Sequence, residues 1–262
     1  MSTPLVTLTT DFGARDPYVA ALKGVLHRHC PGVRIEDLGH EIAPQAITEA
    51  ALFLEAALPE FPPGTVHLAV VDPGVGTARR PVAARAGGHL LVFPDNGIMT
   101  LLLRRLPLEE ARLIERCPFF PPVRSATFHG RDVFAPAAAW LAAGNALDTL
   151  GPPAPDLVEL RMPEAAPESG GAMLGEVIHV DRFGNCVTNL IPGVDAVGMV
   201  SYPLSGSERV LPLSRAYGDA EPGALLALTG SMGRIEIALN GGDAARTLGI
   251  VAGLPVRWTP EG

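Results

Sequence analysis

The most constraining feature of this sequence is a change of pattern part-way along the chain. Before residue 144, strand-like and helix-like segments alternate; after a stretch rich in Pro, Ala, Glu and Gly (144–171), only short strand-like segments follow. Residues 5–10 are β-rich and run into the turn Asp11-Phe12-Gly13. Residues 17–29 read as a helix with Pro17 in its first turn, where a missing N–H costs no hydrogen bond. Residues 33–38 read as a strand, and Ile47, Ala50, Ala51, Leu54 and Leu58 recur at the spacing of one helix face. Residues 65–71 and 89–93 are further strands, each ending in an Asp-containing turn, and 131–143 is an Ala-rich helix. Alternation of this kind calls for an α/β domain with a largely parallel sheet. Beyond the break, strands at 176–180, 186–190, 208–211, 225–228, 234–238 and 255–258, separated by turn residues, suit a smaller all-β, barrel-like domain. The expected organisation is an α/β N-terminal domain over 1–160, taking in the start of a Pro-rich linker, and a β-barrel C-terminal domain over 171–262.

Composition narrows the function. A chain of 262 residues has room for two modest domains at roughly 150 residues each. With 47% hydrophobic and 18% charged residues it is not a disordered protein. The balance of 28 acids against 20 bases argues against a nucleic-acid partner, whose phosphates demand a basic excess. The bases are 19 Arg and one Lys, Lys23. The 29 Gly and 26 Pro make the chain rich in tight turns. No secretory signal is expected from the first ten residues. The longest apolar run, 133–143, is broken by Pro136 and falls short of the ~20 residues that span a bilayer, so no membrane partner is expected. Cys30, Cys117 and Cys186 are odd in number, widely spaced and never C-x-x-C, which is neither a disulfide framework nor a zinc site. A reducing, cytoplasmic compartment is expected.

Ligands of open α/β sheets gather beyond the carboxyl ends of the strands. Asp11, Asp72 and Asp95 all stand at such ends, although Asp is also a common turn residue. Asp72 opens the segment Asp72-Pro73-Gly74-Val75-Gly76-Thr77-Ala78-Arg79-Arg80, whose glycines allow close backbone approach to a ligand. It is not a dinucleotide fingerprint, because Arg79 stands where the third Gly belongs. Thr127-Phe128-His129-Gly130-Arg131-Asp132 precedes the Ala-rich helix, offering either an imidazole for proton chemistry or simply a helix-entry turn. No H-E-x-x-H spacing appears, His27 and His29 face different ways on their helix, and Ser231 is one residue out of step with a G-x-S-x-G elbow. In the second half, Asp181-Arg182-Phe183-Gly184-Asn185 sets an aromatic beside an amide, which suits stacking on and edge-reading of a nucleobase, or an ordinary hairpin turn.

Thr9 to Gly13, Asp37-Leu38-Gly39-His40-Glu41-Ile42, Asp72 to Arg80, Pro94 to Gly97, Phe128 to Asp132, Asp181 to Asn189 and Ser231 to Gly242 together, and in this order, resemble the S-adenosyl-L-methionine (SAM) hydroxide adenosyltransferases. These adenosine-forming SAM hydrolases are related to the fluorinase and chlorinase. The resemblance implies an α/β domain followed by a β-barrel. It also implies homotrimers, with each site between the N-terminal domain of one subunit and the C-terminal domain of the next. SAM is then the substrate, and neither a cofactor nor a metal is expected.

By that resemblance Asp11 holds the ribose hydroxyls. Asn185, Ser231, Glu236 and the backbone around Leu239 hold the adenine or the amino-acid end, with Phe183 nearby; Asp16 and Asp181 are further substrate contacts. Asp72, Arg79 and His129 occupy the positions of the hydrolytic branch's Asp-Arg-His set. The halogenases have a Tyr in place of Asp72, a halide-contacting Ser at Gly130, and a longer insertion before Pro94. The expectation is that Arg79 stabilises hydroxide electrostatically while Asp72 and His129 orient the water and take its proton, the base being either of the two. The rivals are a halogenase, a non-catalytic SAM- or adenosine-binding protein, and a metal-dependent hydrolase built on Asp72, His129 and Asp132.

Overall fold

The structure, a computed structural model, describes residues 3–193 and 195–261. The chain divides into two compact units, Met1–Leu160 and Arg161–Gly262.

In the first unit β1 (Leu5–Thr10), β2 (Arg34–Gly39), β3 (Val66–Val70), β4 (Pro81–Ala86), β5 (His89–Pro94) and β6 (Leu108–Leu113) form a sheet in the order β2-β1-β3-β5-β4-β6. β2, β1, β3 and β5 are mutually parallel, and β4 and β6 add antiparallel pairings. Alternate residues of the central strands point to opposite faces. Leu68 and Val70 pack with Leu22, Leu26, Phe134 and Ala138 on one face, whereas Ala69 and Val71 pack with Ala50, Leu54 and Leu102 on the other. The covering helices are α1 (Tyr18–His29) and α4 (Ala135–Ala142) on the first face, α2 (Ile47–Ala57) and α3 (Thr100–Arg105) on the second. This is the α/β layering expected from the alternating pattern.

Several elements differ from the reading of the sequence, among them α3, β4, β6 and the start of the Ala-rich helix. β4 and β6 were hidden because Pro81–Ala86 and Leu108–Leu113 lack a clean two-residue period. The Ala-rich helix begins as a π-helix over Gly130–Phe134 before continuing as α4. Pro136 supplies the cause: it has no N–H, and its ring crowds the carbonyl four residues earlier, so a widened turn accommodates it. The Pro-rich stretch is also less free than its composition suggests. Val158 N–H donates to Asp95 Oδ1 at 2.8 Å and Leu160 N–H to Thr100 Oγ1 at 2.9 Å, which ties it to the first unit.

The second unit carries β7 (Ala166–Pro167), β8 (Met173–Val180), β9 (Cys186–Thr188), β10 (Gly198–Leu204), β11 (Ser207–Ser214), β12 (Leu225–Thr229), β13 (Ile235–Leu239), α5 (Ala244–Leu248) and β14 (Pro255–Pro260). The run β14-β10-β11-β12-β13-β9-β8 closes through a β14–β8 pairing into a seven-stranded barrel, with β7 attached at β8. Closure leaves few unpaired strand edges. Val177, Cys186, Val200, Tyr202, Ile235, Ile237 and Val256 fill its interior. Among the described residues no helix is long and apolar enough to cross a membrane.

Candidate active site

The strand order decides where a ligand site can form. From β1 the chain crosses to β2 on one side and then returns to β3 on the other, so β1 and β3 flank a topological switch point. Asp11 follows β1 and Asp72 lies two residues beyond β3. Both line one cavity of about 640 Å³, together with Phe12, Tyr18, Gln45, Phe128 and His129. That size falls within the range of small-molecule sites. Asp95, the third strand-end acid, does not join them. It bonds Arg80 and the Val158 N–H and is buried, so it is a structural ion pair.

Asp72, Arg79 and His129 form one bonded unit. Arg79 Nε donates to Asp72 Oδ1 at 3.0 Å, and its Nη2 donates to Asp72 Oδ2 and, at 3.1 Å, to His129 Nδ1. The fork geometry of a guanidinium suits this two-oxygen contact. The pair is desolvated: side-chain exposure is 7% for Arg79 and 5% for Asp72. The guanidinium carbon also lies 5.1 Å from the centre of the Phe134 ring. Arg79 does not line the cavity; Asp72 and His129 do, and it stands behind both.

An arginine N–H cannot accept a hydrogen bond, so Nδ1 of His129 must be the acceptor and Nε2 carries the ring proton. Burial, with Arg79 beside it, holds the His129 imidazole below the usual histidine value. His129 precedes the π-helix, and wide turns of that kind recur at functional sites.

The loop after Asp72 is held by its own backbone. Gly76 has φ +79°, and a Cβ there would lie 2.7 Å from the Ala126 carbonyl oxygen. The sequence suggested that this glycine let a ligand approach; it lets the 125–127 segment approach. Asp11 Oδ2 accepts the Gln45 N–H at 2.8 Å, and Gln45 itself has φ +66°. Asp16 is exposed and does not line the cavity.

Reading the sequence missed the aromatic wall. Phe12, Tyr18 and Phe128 meet edge to face, with centroids 5.7, 6.0 and 5.2 Å apart. Phe12 and Phe128 lay inside noted motifs, but Tyr18 gave no signal beyond opening a helix. Asp132, the third ligand of the metal-dependent alternative, turns elsewhere: it accepts from Ser125 N–H at 2.7 Å and pairs with Arg131. Among the described residues, no three His, Cys, Asp or Glu side chains are grouped to hold a metal ion.

The second unit gathers a separate polar chain. Asp181 Oδ1 accepts the N–H groups of Phe183 and Asn185, both at 2.8 Å, and Oδ2 accepts Asn185 Nδ2 at 2.9 Å. Asn185 Nδ2 also donates to Tyr217 Oη at 3.2 Å, which donates to Glu236 Oε2 at 3.3 Å. Burial above all pushes the Tyr217 phenol up to about 12 and raises the Glu236 carboxyl above its ordinary value. Tyr217 is a further residue the sequence did not single out. Phe183 projects from the turn, 75% exposed. Ser231 lies exposed in the β12–β13 turn and Leu239 ends β13; neither joins this chain of hydrogen bonds.

Residues 6–151 match the model of the SAM hydroxide adenosyltransferase N-terminal domain, and residues 175–257 that of the C-terminal domain. The chain belongs to the SAM hydroxide adenosyltransferase family. It is 45% identical over 260 residues to an (R)-S-adenosyl-L-methionine hydrolase of Thermus thermophilus, covering 96% of this chain and 98% of that one. Identity to a fluorinase of an Actinoplanes species is 28% over 290 residues, covering 98% and 97%. The structure is similar to a crystal structure of an uncharacterized conserved protein from Thermotoga maritima, with TM-score 0.89, 36% identity and 97% and 99% coverage.

Proposed function

We propose that this protein hydrolyses SAM to adenosine and L-methionine by in-line attack of water on the ribose 5′ carbon. The oxygen–carbon bond forms as the carbon–sulfur bond breaks, and the bonding pair leaves on sulfur as a neutral thioether. One water proton is released. The sulfonium departs without acid assistance, so the chain's task is to hold and activate the water. Holding it in near-attack geometry is worth on the order of 7–11 kcal/mol of barrier.

The observation that carries this reading is the Arg79 fork, bonded at once to Asp72 and His129 where both line the cavity. With Nδ1 occupied, the His129 ring offers the water only a donor, Nε2–H. Asp72 only accepts, which assigns it the proton. Arg79 acts through these two as a positioning residue, its charge favouring the hydroxide that develops. Asp11 holds the ribose hydroxyls. The Asp181–Asn185 turn, with Phe183, takes the adenine edge; Ser231, Glu236 and the backbone at Leu239 take the remaining polar ends, and Asp16 is a peripheral contact.

The same reading includes no cofactor, a homotrimer with sites shared between subunits, and a cytoplasmic location. Three free, buried cysteines support the last of these. Incubation with SAM in heavy-oxygen water tests the chemistry. Label in the 5′ hydroxyl of adenosine, beside free methionine, is expected, and chloride or fluoride is expected to yield no 5′-halo nucleoside. Unlabelled adenosine would reject attack of water at carbon.

A further inference from the structure

The Asn185 side chain is not free to choose which end it shows a ligand. Both protons of its amide are taken within the barrel domain, one by Asp181 Oδ2 at 2.9 Å and one by Tyr217 Oη at 3.2 Å. A carboxylate has no proton to give, so the atom facing Asp181 must be the nitrogen. Asp181 is itself locked, because Oδ1 accepts two backbone N–H groups of the same turn. Asn185 Oδ1 is therefore the end left over. It has no partner among the described residues and is not sealed away from solvent. Two exposed aromatic side chains accompany it: Phe183, 75% exposed on the same turn, and Tyr217, 41% exposed and bonded to the amide. Rings beside a single fixed acceptor suit a base that stacks and offers an exocyclic amine.

We propose that Asp181 is a specificity-determining positioning residue: acting through the Asn185 amide, it commits the site to a 6-amino purine and turns away a 6-oxo purine. The inference rests on the reading that Asn185 meets the nucleobase. A 6-oxo group would set one acceptor against another, leaving Asn185 Oδ1 desolvated and unpaired. Replacing Asp181 by Asn reverses the logic. The new Oδ1 keeps the two backbone donors, so its Nδ2 takes the place of the carboxylate oxygen and faces Asn185. The Asn185 amide must then turn over, receiving that donor, and Tyr217 Oη can turn its single proton from Glu236 to it. The nitrogen of Asn185 now points outward and favours a 6-oxo group. The Asp181–Asn185 contact is re-formed in the variant with donor and acceptor exchanged, the Tyr217 proton leaves Glu236, and the outward face of Asn185 is reversed.

The test is calorimetric titration of the full-length protein with adenosine and with inosine, nucleosides that bypass any contact to the methionine end. The wild-type protein is expected to prefer adenosine by on the order of 10–100-fold, the range of one well-placed hydrogen bond against an unpaired acceptor. Asp181→Asn is expected to narrow or reverse that ratio by about 10-fold or more. A merely structural role would weaken both nucleosides alike, and an unchanged ratio in a folded Asp181→Asn protein overturns the proposal. Equal affinity of the wild-type protein for the two nucleosides overturns it without any variant. Asn185→Ala separates the layers. If it leaves adenosine affinity and the ratio untouched, Asn185 does not meet the base and the underlying reading fails. If it flattens the ratio while Asp181→Asn does not, only the positioning role fails.

Discussion

Replacing His67 by Gln is expected to remove much of the acid sensitivity of the N-terminal domain. His67 lies on β3, toward the end of the sheet opposite the candidate site, and is 1% exposed. Its Nδ1 is 2.7 Å from Thr7 Oγ1 and its Nε2 is 3.0 Å from His89 Nδ1, while the Phe61 ring packs edge-on at 5.8 Å. A proton added here would create a cation with no water to solvate it, next to a second imidazole. Burial first, and His89 second, lower the His67 pKa from 6.5 to about 3. Because the folded value is the lower one, the unfolded chain binds the proton first as pH falls. Stability from this group is complete above pH 6.5 and is lost progressively down to about 3.

At about 1.4 kcal/mol per pKa unit, the loss is about 2 kcal/mol at pH 5 and about 3 kcal/mol at pH 4. That is a large share of the ~5–15 kcal/mol that holds an ordinary domain. The assay is urea unfolding from about pH 7 to pH 4, followed by the fluorescence of Trp140 in a Trp258→Phe background so that only the first unit reports. Asp37 and Asp132, held below the ordinary carboxylate range, also titrate in acid. They do so in both proteins, and their contributions cancel in the difference. His67→Gln is expected to flatten the curve by about 2 kcal/mol at pH 5 relative to wild type. Parallel curves for the two proteins would refute the argument.

Three further predictions concern the site itself. Arg79→Lys replaces a fork that serves two partners with a point charge that can serve one, so kcat is expected to fall at least about 10-fold in steady-state adenosine release, with KM for SAM changed far less. A wild-type kcat would remove the positioning role. Gly76→Ala forces a Cβ against the Ala126 carbonyl at 2.7 Å in a backbone conformation of φ +79°, and is expected to cost about 1–3 kcal/mol, read as a lower Tm. No shift would mean that the 72–80 loop does not need its approach to residues 125–127. The lowered pKa of His129 keeps its ring neutral to lower pH than a free imidazole, so the acid limb of kcat that reports this ring should lie below pH 6.5. An acid limb at or above 6.5 that vanishes in His129→Asn would contradict the neutral Nε2–H assignment.

Local pattern was enough for the outline. The alternation of periods before residue 144 and its loss afterwards reflect how each element buries one face, a property of neighbouring residues, and so the α/β and barrel domains were legible. β4 and β6 were not: β4 lies between β5 and β6 and is buried along most of its length, and β6, at the sheet edge, is largely exposed or half-buried, so neither shows a strict alternation. The candidate residues were legible too: Asp11, Asp72, Arg79 and His129 stand in short motifs that survive without knowledge of the fold.

Their grouping belonged to tertiary structure. Asp11, Asp72 and Asp95 look alike in sequence, yet strand order sets the first two at the β1/β3 switch point, whereas Asp95 is spent on Arg80 and the Val158 N–H. Arg79 and His129 are fifty positions apart, and only the packing of the 125–134 segment over the Asp72 loop brings them to 3.1 Å. The same holds for Asn185, whose outward-facing atom is settled by Asp181 on its own turn and by Tyr217 from another segment. A sequence records which side chains can donate or accept. Which of their atoms remain unpaired, and so available for chemistry, is decided when distant segments take up the others.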